Sequence, residues 1–209
     1  LTNDPYPDLA AMETYAEHTY STLLYLTIAA LPMTSMTADH VASHIGKAVG
    51  ITNILRGLPL VAFPQRKNRS WTSPDAPGGA RAEGAVVLPL DIMAETGVKE
   101  EEVFRRGAEA SGLRDAVFAV ATRASDHLIT VQQMLENIRA GQDAGHEFEY
   151  QGEEGRQYDY EYDDLYAETP LDEVNRAFGI FMPAVGARLW LDRLESVDFD
   201  FFRPELLRS

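Results

Sequence analysis

A chain of 209 residues and 23.2 kDa is long enough to bury a sizeable core as one domain or two small ones. The composition, 45% hydrophobic and 24% charged, is that of a folded globular protein, and the absence of cysteine excludes disulfide scaffolds, thiol catalysis and cysteine-ligated metal centres. With 18 Lys and Arg against 33 Asp and Glu the net charge is −15, which opposes binding to phosphate backbones or anionic lipid and gives no nucleic-acid signature. Residues 143–173 hold twelve of the acids and one base, so the rest of the chain, with 21 acids and 17 bases, is nearly balanced.

In chain order, the first helical pattern starts after Asp8, a good N-cap, with apolar residues at Leu9, Met12, Ala16, Leu23, Leu26 and Ala30, and Pro32 stops it. The run from Leu23 is broken by Thr27 and too short to span a membrane. No signal or transit peptide is visible and the chain does not begin with Met, so it reads as a mature or truncated piece. A second helix is expected from an N-cap at Thr37, with Val41, Ile45, Ala48, Ile51 and Leu55 on one face and Gly57 and Pro59 ending it. The breaker-rich stretch 58–84 reads as a surface loop, and a short acidic helix is expected around Lys99 to Arg106.

The strongest periodicity runs Leu113, Val117, Val120, Ala124, Leu128, Val131, Leu135, Ile138. Thr169-Pro170-Leu171-Asp172 announces the last helix by an N-cap, a first-turn proline and a capping-box acid. Its stripe is read as Val174, Phe178, Phe181, Val185 and Leu189, with a kink at Pro183. The tail, residues 197–202, reads as an extended segment docking Phe199 and Phe201. The fold class is all-α.

Three places carry possible chemistry. His40 and His44 stand one helical turn apart, a metal-holding spacing, but Val41 occupies the place where a zincin needs its glutamate; the plain reading is a polar helix face shared with Lys47. Asp159 and Asp163 have the spacing of a Mg²⁺–diphosphate pair, within an acid- and tyrosine-rich run that reads as a solvated loop or a segment for docking a partner. On the second helix, Gly46 and Gly50 share a side, and two helix-weakening glycines imply close approach of a neighbour. Thr52 and Arg56 fall inside the apolar arc, so Arg56 either meets a partner acid or polar cavity, or snorkels out where the helix ends.

The run Ile51-Thr52-Asn53-Ile54-Leu55-Arg56, followed by Leu88-Pro89 and Gly97-Val98, resembles the squalene/phytoene synthase family. The resemblance implies an all-α isoprenoid-synthase-type bundle with a central cavity, of which this chain is the C-terminal portion, residues 1–209 forming one domain with insertions at about 58–84 and 143–168. Active members condense prenyl diphosphates with Mg²⁺ held by two aspartate-rich motifs. Here Gly57 and Val61 stand where the second motif has its aspartates, and Ala85 and Val87 replace the arginine and tyrosine of the turn that follows. Without those carboxylates the diphosphate charges go unneutralised, so catalysis and a metal cofactor are not expected.

Tyr15-Ala16-Glu17-His18-Thr19, Ala42-Ser43-His44-Ile45-Gly46-Lys47-Ala48 and Val197-Asp198-Phe199-Asp200 resemble a branch of that family that serves assembly of mitochondrial respiratory complex I. That likeness implies a non-catalytic matrix protein, peripheral to the inner membrane, whose partners are complex I subunits or other assembly factors. Asn53, Arg56, Thr52 and Tyr15 would line the residual cavity, open to an apolar lipid. The alternative is an active prenyltransferase in which Asp159 and Asp163 replace the missing motif.

Overall fold

The computed structural model describes residues 5–31, 35–64, 84–142, 144–145 and 169–207. Among them every regular element is helical. Helix α1 (Leu9–Ala16) begins as expected: the Asp8 carboxylate accepts the Ala11 N–H at 2.7 Å. It runs through a π turn, Glu17–Ser21, into α2 (Thr22–Ala29).

That turn rephases the buried face. The sequence pattern puts Leu23 and Leu26 inside with Met12 and Ala16, whereas the structure buries Ser21, Tyr25 and Ile28 and leaves Leu23 and Leu26 about 60% exposed. Five residues separate Ala16 from Ser21, and one extra residue rotates everything downstream by about 100°.

Helix α3 (Met36–Ala62) is longer than its pattern predicts. Ser35, not Thr37, is its N-cap, with extended backbone and a hydroxyl that accepts the Ala38 N–H. Neither Gly57 nor Pro59 ends it. The turn after Arg56 carries Leu58 and Ala62 into the core, and their burial outweighs the backbone hydrogen bond that Pro59 cannot donate.

Helix α4 (Leu90–Thr96) has no counterpart in the sequence reading; it ends on Gly97 at φ 74°, with the Val98 N–H reaching back to the Met93 carbonyl. Helix α5 (Glu100–Arg106) and α6 (Leu113–Arg139) fall where periodicity puts them. Thr169 and Asp172 form the expected capping box at the start of α7 (Pro170–Ala177).

At the C-terminal end the expected stripe is only half right. A 3₁₀ turn, Phe178–Phe181, separates α7 from α8 (Pro183–Ser196), and Pro183 opens the new helix rather than kinking an old one. The phase break buries Ala187, Trp190, Leu191 and Leu194, while Phe178, Val185 and Leu189 are exposed. The tail is not extended: Asp198 and Phe199, both at φ 55°, turn the chain so that Phe201 is buried, ahead of the short α9 (Pro204–Leu207).

Helix α3 is the axis, packed by α1, the π turn, α2, α6, α7 and α8, with its largest interface against α6. Two apolar clusters form along it. Ile51, Leu55 and Leu58 from its C-terminal half meet Met12, Val117, Val120, Trp190 and Leu194. Val41 and Ile45 from its N-terminal half meet Tyr25, Ile28, Val131, Met134 and Val174. The first helical run and α6 are therefore antiparallel to α3, and α7–α8 runs parallel to it. Gly46 and Gly50 let the π turn close on α3 as the sequence anticipates: a Cβ on Gly46 would stand 2.4 Å from Ser21 Cα, and one on Gly50 2.5 Å from Ala16 Cβ.

Candidate functional site

Two regions carry the residues singled out by sequence. One is the C-terminal end of α3. Because α3 stays helical through Ala62, Gly57 and Val61 stand one turn apart on it, the geometry a pair of metal-binding aspartates needs. A Cβ on Gly57 would meet nothing within 4 Å, so a side chain there is not excluded by space.

The segment after residue 83 returns to this end: the Ala85 N–H donates to the Val61 carbonyl at 3.2 Å, and the Val86 N–H to Glu100 Oε1 at 2.9 Å. Val86 and Leu88 join the apolar cluster. The positions at which the chain departs from an aspartate-rich site thus come together, and glycine, valine and alanine at those positions supply neither a carboxylate to hold a cation nor a guanidinium to hold a phosphate.

Just before them, Thr52 is buried and its hydroxyl has no hydrogen-bond partner among the described residues, Asn53 is half-buried and Arg56 is exposed. Tyr15 lies on α1, 43% exposed, its ring 5.6 Å from that of Tyr6. Burial, with Tyr15 and Tyr20 nearby, pushes the Tyr6 hydroxyl up to about 12.

The other region is a polar layer between the two apolar clusters. Of His40 and His44, expected on a helix surface, His40 is instead buried and His44 half-buried, and their rings are 5.3 Å apart. His44 Nδ1 lies 2.9 Å from Nδ1 of His127 on α6, whose Nε2 is 2.6 Å from Glu13 Oε1. Arg123 Nε donates to the same oxygen at 2.6 Å. Burial works against ionisation of Glu13, but the hydrogen bonds and charges of His127 and Arg123 outweigh it and hold the carboxyl at about 2.

One turn on, the Glu17 carboxylate accepts from Ser43 Oγ at 2.9 Å and from the Tyr25 hydroxyl, and Lys47 Nζ stands 3.8 Å away. Ser21 Oγ shares its proton between Glu17 Oε2 at 2.9 Å and the Ser43 carbonyl at 3.1 Å. Burial and the Glu17 charge push the Tyr25 hydroxyl far above its usual range. Lys47, expected beside the histidines on a surface, is thus largely buried in this layer.

Periodicity and motif spacing do not single out Glu13, Glu17, Arg123 and His127. The signal was present: Glu13 and Glu17 flank the buried Ala16 at i and i+4, and Arg123 and His127 sit at the same spacing beside Ala124 and Leu128 of the α6 stripe. Among the described residues no group of three or more His, Asp or Glu is arranged to hold a metal ion. Asp159, Asp163 and the acidic run around them lie outside the described residues.

A helical shell built on one long axial helix, with a TNILR turn leading into positions stripped of carboxylates, defines an isoprenoid-synthase-type fold without its second aspartate motif. The chain belongs to the squalene/phytoene synthase family, whose profile matches residues 1–209. Among curated proteins it is similar to NADH dehydrogenase (ubiquinone) complex I, assembly factor 6 of Rattus norvegicus, at 30% identity over 99% of this chain and 45% of the relative, and to that of Bos taurus, at 30% over 100% and 46%. The Drosophila melanogaster homolog is 30% identical over 64% of this chain and 34% of its own length. The chain therefore spans a little under half the length of the mammalian relatives. No solved structure matches it.

Proposed function

We propose that this chain is a non-catalytic assembly factor of mitochondrial respiratory complex I, a prenyl-synthase shell that works through protein contacts. The observation that carries the reading is the pairing of glycine and valine, one turn apart at the end of α3, with similarity to assembly factor 6 across the chain. Two diphosphates brought together without metal-holding carboxylates would face mutual repulsion that no group at Gly57, Val61 or Ala85 can offset.

On this reading the protein needs no metal cofactor. It acts in the matrix, peripheral to the inner membrane, on complex I subunits or fellow assembly factors. Tyr15, Thr52, Asn53 and Arg56 are the contacts assigned to an apolar lipid. No described helix is long and apolar enough to cross a membrane.

The test has two arms. Deleting the gene in the host lowers assembled complex I and leaves sterol and carotenoid levels unchanged. The purified protein with Mg²⁺ and farnesyl diphosphate releases no pyrophosphate and yields no condensation product. A condensed prenyl product, or normal complex I in the deletion strain, overturns the proposal.

A further inference from the structure

We draw no further inference here: the strongest candidate, the exposed apolar surface patch of Phe178, Met182, Val185 and Leu189 along α7 and α8, is a helix face for which nothing in the structure shows what covers it.

Discussion

Two glycines of α3 make opposite predictions for one substitution. At Gly46 an alanine Cβ would stand 2.2 Å from Ser21 Oγ and 2.4 Å from Ser21 N and Cα. The hydroxyl can turn away, but the backbone of the π turn cannot move without pulling Glu17 out of the polar layer. Overpacking of this kind costs roughly 1–3 kcal/mol, and contact with main chain puts Gly46→Ala near the top of that range. The gain in helix propensity returns about 1 kcal/mol, for a net loss of about 2 kcal/mol. At Gly57 nothing lies within 4 Å of the added methyl, so Gly57→Ala keeps the whole gain and stabilises by about 1 kcal/mol.

Urea unfolding monitored by helical circular dichroism reads both. With an m-value of about 2 kcal/mol/M, the midpoint falls by about 1 M in Gly46→Ala and rises by about 0.5 M in Gly57→Ala. A midpoint that moves upward in both variants refutes the close approach of the π turn to α3, and with it the geometry assigned to the polar layer.

Glu13→Gln removes the anion that Arg123 and His127 share; the pair is only partly buried, so the loss at neutral pH is about 2 kcal/mol rather than the larger cost of a fully buried one. Because the folded carboxyl sits at about 2, below its unfolded value, the stabilisation is present above about pH 4.5 and fades as pH falls toward 2; midpoints of wild type and variant measured across that window should converge. Thr52→Val deletes a buried hydroxyl that has no partner among the described residues and should raise stability by about 1 kcal/mol in thermal or urea unfolding. Thr169→Ala breaks the capping box of α7 and should cost about 1 kcal/mol, measured the same way.

The elements legible in the sequence are those whose signals are local. Asp8, the Thr169 capping box and the α6 stripe each state their structure within one or two turns, and the paired glycines of α3 announce a close neighbour without naming it. What the sequence conceals is set by distant contacts. The π turn is held by Glu17, whose partners Ser43 and Lys47 come from another helix, so its rotation of Leu23 and Leu26 into solvent is invisible in a period count. Helix α3 continues past Pro59 because Leu58 joins a cluster built from residues far along the chain and Ala62 is buried one turn later. A single period carried across Pro183 puts Phe178, Val185 and Leu189 inward, whereas the 3₁₀ turn before Pro183 restarts the period.

The same separation of local from distant determinants bears on how a synthase shell can shed its metal ligands. Carboxylates clustered for a divalent cation repel one another whenever the cation is absent, a cost borne by the fold for the sake of the reaction. At Gly57 and Val61 that cost is gone, and the end of α3 is fixed by other means: burial of Leu58 and Ala62, the Ala85–Val61 hydrogen bond and the Val86 and Leu88 side chains. Two of the charges held inside the bundle, Glu13 and Glu17, are matched by Arg123, His127 and Lys47 and join three helices in one register. A buried ionic layer of this kind adds little net stability, but mispairing any of its helices leaves a charge unpaired in the core, so it specifies which faces meet. Glu13, Glu17 and their partners can therefore specify this packing whether or not the end of α3 carries carboxylates.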